Sequence, residues 1–177
     1  MKLSILALLT TITAAQAAIT WTLDKASDPT ADEKEAYKKI EAAMEAAAAR
    51  HAKLGKASKD VTVHYTPGVP TAEAGINGDV RFGSDRAYMT ERTALHEIAH
   101  TLGVGQTTQF DKLCKSGDWE TALPMLREWD GEDAKISCGG SHFWPYGLNY
   151  ETEWSESTAN RHVQIINAMI ADGMQRS

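Results

Sequence analysis

Residues 96–100 read His-Glu-Ile-Ala-His, and this spacing constrains the chain more than any other feature. Positions i and i+4 of an α-helix lie one turn apart on one face, so both imidazoles can reach a single ion. The flanking residues read as helix on independent grounds. Thr90 is a capping residue, Leu95, Ile98 and Leu102 supply an apolar face, and Gly103 offers a stop. Zinc accepts two imidazole nitrogens at about 2.0–2.1 Å in a tetrahedral shell, with places left for a third protein ligand and a water. Glu97, beside the first ligand, is the expected general base. It would activate a water for attack on a carbonyl and pass the proton to the leaving group. His96 and His100 are therefore the expected metal ligands, Glu97 a catalytic residue, and one Zn2+ per chain the expected cofactor.

Such a helix needs a core behind it, and the chain can supply one. It has 177 residues, 42% hydrophobic and 24% charged, which suits a single globular domain. The start does not read as part of that domain. Lys2 is followed by a largely apolar stretch from Leu3 to Ile12 and by Ala15-Gln16-Ala17, the pattern of a secretory signal peptide. The expected organisation is a signal peptide over 1–17 and one domain over 18–177, in a secreted, extracellular protein. Taking 17 residues from 177 leaves 160 and removes only the charge of Lys2, so the net charge goes from −6 to −7. An acidic surface argues against nucleic acid and anionic membrane as partners, and no segment reaches spanning length. In an oxidising compartment the two cysteines, Cys114 and Cys138, are expected to be bridged. The bridge would contribute about 3 kcal/mol by loop closure.

Element signals run along the rest of the chain. Trp21 to Leu23 reads as a short strand. Thr30 and Glu33 have the form of a capping box for a long helix with Tyr37, Ile40, Met44, Ala47, Ala48 and His51 at helical spacing, stopped by Gly55. Val61, Val63 and Tyr65 alternate as a strand ended by Pro67-Gly68. A turn-rich stretch leads to a brief strand from Val80 to Gly83. Trp119 to Trp129 looks helical, with Pro124 expected to kink or shorten it. Residues 137 to 154 read as an aromatic loop, and Val163, Ile166, Met169 and Ile170 mark a last helix capped by Ser155 or Ser157. His51 is expected at the surface or as a cap, His64 in solvent, and His162 on a polar face. The fold class is α+β: a small twisted sheet packed on the long helix and the His96–His100 helix, with a largely helical and loop C-terminal part.

The stretch HEIAHTLG, His96 to Gly103, resembles the metzincin branch of the zinc peptidases, whose longer pattern is HExxHxxGxxH. The resemblance implies a zincin-like fold and peptide hydrolysis. This chain has the matching glycine, Gly103, but Gln106 stands where the family places its third histidine. HEIAHTLGVG combined with the segment Ser141 to Tyr150, SHFWPYGLNY, also resembles uncharacterised secreted proteins of filamentous fungi and soil bacteria. That likeness implies no substrate.

The third ligand must come from elsewhere. His142 is the favoured candidate, in a loop that the Cys138 end of the bridge can hold, with Asp111 and Glu120 as carboxylate alternatives. Phe143, Trp144, Tyr146, Tyr150 and Trp154 either pack the domain or line the cleft. In the second case a phenol from Tyr146 or Tyr150 would donate to a developing oxyanion. The strand at Val80–Gly83 resembles the edge strand of zinc peptidases, which binds an extended peptide. The expected function is a zinc metalloendopeptidase acting as a monomer on peptide or protein substrates. The alternative is a non-catalytic zinc-containing protein that contacts glycans or a cell wall.

Overall fold

A computed structural model describes residues 18–175; the expected signal peptide lies outside the described residues. The order is β1 (Ile19–Asp24), α1 (Ala31–Leu54), β2 (Lys59–Tyr65), β3 (Ala72–Ala74), β4 (Asp79–Phe82), α2 (Glu91–Thr101), α3 (Thr108–Ser116), α4 (Ala122–Asp130), β5 (Ser137–Gly139), β6 (His142–Trp144) and α5 (Glu156–Ala171). The class is α+β, with five α-helices among the described residues and a small mixed sheet of order β1-β2-β4-β3. β1, β2 and β4 run parallel and β3 antiparallel to β4. β5 and β6 form a separate hairpin.

α1 begins where expected. Thr30 accepts from the backbone of Glu33, and the Glu33 carboxylate accepts from the backbone of Thr30, which satisfies two orphan donors at once. Its buried face carries Tyr37, Ile40, Met44 and Ala47, and the same i+4 step takes His51 inside. His51 is 2% exposed and neither ring nitrogen finds a protein partner, which corrects the surface expectation. The helical period decided its place, and its polarity did not. At the helix end Gly55 is required by close approach: a Cβ there would lie 2.7 Å from the Asn167 side chain, whose Oδ1 accepts from the backbone of Lys56 and Ala57.

α2 is the middle of the domain, buried along most of its length and packed on α1, α5 and the β3–β4 side of the sheet. Ile40, Met44, Val63, Val80, Phe82, Leu95, Ile98, Leu102 and Ile166 share one hydrophobic cluster. This is why α2 can turn its two histidines away from the cluster toward a cavity without exposing the rest of the helix.

One further reading is corrected, and two helices add to it. β4 is an inner strand, and the edge belongs to β3, a three-residue strand inside the stretch read as turns. It is too short to show an alternating pattern. α3 follows the turn after Gly105, with Phe110 and Leu113 on its buried side. α4 starts at Ala122 rather than near Trp119, the shortening expected of Pro124, whose ring would clash with the carbonyl of Glu120 in an earlier-starting helix. Placed in the first turn, Pro124 removes no intrahelical bond. Among the described residues no helix is long and apolar enough to cross a membrane.

Candidate metal centre

Thr90 caps α2 by accepting from the backbone of Thr93, and the helix then delivers His96, Glu97 and His100 one turn from its end. Gly103, at φ +122°, ends the helix and turns the chain, leaving the Val104 carbonyl beside His100. His100 Nδ1–H donates to that carbonyl at 2.9 Å, and His96 Nδ1–H donates to the carbonyl of Gly147 at 2.8 Å. With both Nδ1 atoms committed as donors, both Nε2 atoms carry lone pairs, and these two atoms lie 3.2 Å apart. Burial lowers the pKa of His96 to about 3, with His100 next in effect, and burial also lowers that of His100. Both rings are neutral at neutral pH, so no proton bridges the two nitrogens.

Two lone pairs facing each other repel unless a cation lies between them. A tetrahedral shell with metal–nitrogen distances near 2.0–2.1 Å has nitrogen–nitrogen edges of about 3.3–3.4 Å, close to the observed separation. His142 joins them: one ligand atom from each of His96, His100 and His142 lies within 4.8 Å of the other two. The His142 ring stacks on that of His96, with centroids 5.1 Å apart and planes inclined by 23°. The three residues fit a metal ion as a set of imidazole nitrogens.

His142 opens β6, paired with Gly139 across the hairpin. Cys138, next to Gly139, is disulfide-bonded to Cys114 on α3, with Cα atoms 5.8 Å apart. The bridge thus ties the histidine hairpin to the helix that follows the α2 turn. Gly105 completes the seat. It sits at φ +63°, and a Cβ there would lie 2.2 Å from the Ser141 carbonyl oxygen. Asp111 and Glu120 are exposed on or beside α3 and do not join the histidine group.

The histidines open into a cavity of about 360 Å³. β3 forms one wall through Thr71 to Ala74, α2 and the preceding turn form another through Tyr88, Arg92 and Thr93, and Gln106, Ser141 and Asn149 close the rim. Glu97 lies at the floor, 5% exposed. Burial raises its pKa to about 8, opposed by the Arg92 guanidinium and aided by the Glu73 carboxylate. Arg92 is itself 5% exposed, and donates to Glu151 and to the Leu148 carbonyl at 2.8 and 2.9 Å.

The aromatic residues of the C-terminal loop are placed differently from one another. Phe143 is in the core, the Trp144 indole donates to Glu153, and Trp154 lies against Arg50. None of the five lines the histidine cavity. The Tyr146 hydroxyl donates to Asp130 at 2.7 Å and also contacts Arg161, on the side of α4 and α5. Tyr150 is 61% exposed and lines a neighbouring cavity that shares Tyr88, Arg92 and Asn149 with the first. The groups that face the cavity, Arg92, Tyr88 and Asn149, carry no motif, and sequence reasoning passed over them.

His162 is another correction. It is fully buried, with Nδ1 2.7 Å from the Tyr146 carbonyl and Nε2 3.2 Å from the Leu95 carbonyl. The signal was available: Ala159, His162, Val163, Ile166 and Met169 fall at helical spacing on one buried face. His64 is half-buried on β2, 3.5 Å from Asp24. No known protein family, curated protein or solved structure matches the chain.

Proposed function

We propose that the chain is a secreted, zinc-dependent metallopeptidase of the HExxH type with a zincin-like fold. One observation carries this reading: two neutral histidines of one helix aim unprotonated Nε2 atoms at a point that His142 also reaches, with a buried carboxyl between them in sequence. His96, His100 and His142 would hold the ion. When bound there, zinc would supply Lewis acidity, acidifying a water and polarising a substrate carbonyl.

The chain's own groups supply the rest. The Glu97 carboxylate takes a proton from the attacking water and returns it to the leaving amine, so the residue ends each cycle as it began. Burial raises its basicity, and a cation held by the histidines would favour its carboxylate form near neutral pH. The free edge of β3 lies along the cavity and can pair with an extended peptide by main-chain hydrogen bonds, which fixes the scissile bond relative to the histidines. The disulfide, of a kind that persists in oxidising compartments, supports secretion.

The test compares wild type with Glu97→Gln on an unstructured protein mixture, with new termini read by mass spectrometry and metal by elemental analysis. The expected result is one zinc per chain in both and a 10²–10⁴-fold loss of cleavage in the variant. Equal cleavage by the two would overturn the mechanism. Metal in both with cleavage by neither would favour a glycan- or cell-wall-binding protein.

A further inference from the structure

His162 touches three segments that each adjoin the histidine centre. Its Nδ1 lies 2.7 Å from the carbonyl of Tyr146, and the next carbonyl along, that of Gly147, is the one that fixes the His96 ring. Its Nε2 lies 3.2 Å from the carbonyl of Leu95, the residue before His96. Its ring stacks on Phe143, at 6.2 Å and 22°, the residue after His142. The side chain is wholly buried and comes from α5, an element that supplies none of the three histidines. Burial holds its pKa down at about 4, so the ring carries one proton, and the shorter contact, to Tyr146, is the hydrogen bond.

We propose that His162 is a positioning residue for the metal centre, resting on the metal-site reading above. By donating from Nδ1 to the Tyr146 carbonyl it holds the 145–148 turn in the one arrangement that presents the Gly147 carbonyl to His96. The turn needs such a clamp. Tyr146 and Leu148 sit at φ +67° and +55°, a region costly for side-chain-bearing residues. A turn released from the clamp relaxes toward ordinary backbone angles and withdraws the acceptor of His96 Nδ1–H. The His96 ring then loses both its fixed tautomer and its direction, and outer-shell partners of this kind carry 10–100-fold in metal affinity.

The test separates this role from plain packing by using two amides of different length. The side-chain nitrogen of asparagine can occupy the place of Nδ1, and that of glutamine the place of Nε2. Zn2+ affinity is measured against a competing chelator dye for wild type, His162→Asn, His162→Gln and His162→Leu. Each is also loaded with Co2+ for its visible spectrum, and metal-free unfolding is followed by circular dichroism. The expected pattern is near-wild-type affinity and spectrum for His162→Asn, with 10–100-fold weaker binding and an altered cobalt spectrum for His162→Gln and His162→Leu.

Equal losses in the two amide variants would make His162 a packing residue only and overturn the proposal. So would wild-type affinity in all three variants, or loss of the metal-free fold in both amides. A wild-type chain that binds no metal fails the metal-site reading itself, and that result is read before any variant is compared.

Discussion

The two arms of the histidine centre are built by opposite means. α2 offers His96 and His100 from one regular, capped helix whose spacing alone brings them together. The arm from Cys138 to Tyr150 offers His142, and the carbonyl that steers His96, from a hairpin and a turn with three side-chain-bearing residues at positive φ: Ser141, Tyr146 and Leu148. Each such residue costs about 1–2 kcal/mol against its ordinary conformation. The arm is held by what surrounds it. Arg92 donates to the Leu148 carbonyl, Asn149 to the Phe143 carbonyl, His162 to the Tyr146 carbonyl, and Cys138 is bonded to Cys114. Phe143 and Leu148 are themselves buried. A local arm costs little to organise, whereas a long-range arm depends on every anchor, so damage to distant residues should show first in His142 and the 145–148 turn.

The largest expected effect makes the two arms equal. His100→Ala and His142→Ala should each lower zinc affinity by more than the 10–100-fold that an outer-shell change costs. Chelator competition measures this, with circular dichroism showing helix content unchanged. If His142→Ala binds zinc as wild type does, the long-range arm supplies no ligand, and Asp111 and Glu120 become the candidates to mutate next.

Removing the bridge should separate the arms. A Cys114→Ala, Cys138→Ala chain should lose about 3 kcal/mol in denaturant unfolding and bind zinc more weakly, because the His142 hairpin loses its tie to α3. An unchanged affinity at reduced stability would mean that packing alone seats the hairpin.

A smaller and more local effect is expected at Gly105. Alanine there meets both a positive φ and the Ser141 carbonyl, so about 2 kcal/mol of stability should be lost, together with zinc affinity. Gly117 is the control. Its φ is +77° but nothing lies within 4 Å of a Cβ, so Gly117→Ala should cost about 1 kcal/mol and leave zinc binding alone. Equal metal affinity in the two variants would break the link between the α2 turn and the His142 hairpin.

At neutral pH the smallest effect, and one that grows only on acidification, tests the core behind the arms. Burial pushes His51 down to about 3, below its value in the unfolded chain near 6.5. The unfolded state therefore binds the extra proton first, and stability falls as pH drops from about 6.5 toward 3. The slope is about 1.4 kcal/mol per pH unit for this group. His51→Leu should remove that share of the acid sensitivity in chelator-treated protein. A variant whose stability falls with pH as steeply as wild type would show that His51 titrates normally.

The amino-acid sequence by itself determined the capping box of α1, the apolar stripe of α5, the strand pattern of β2, and the placement of His96, Glu97 and His100 on one helix with its cap and stop. Each depends on residues within a few positions of one another, where periodicity and side-chain chemistry suffice. It also named His142 and the Cys114–Cys138 pair, from residue type and the small number of histidines and cysteines available. Only the tertiary structure decided that β3 is the sheet edge beside the cavity, that Tyr146 and Tyr150 lie outside it, and that Arg92 lines it. The burial of His51 and His162 belongs to both: the helical period placed them on inner faces, but the structure alone set His162 against the carbonyls of Leu95 and Tyr146. Those contacts join residues tens of positions apart, and their stability comes from burial and carbonyl pairing that no local pattern encodes.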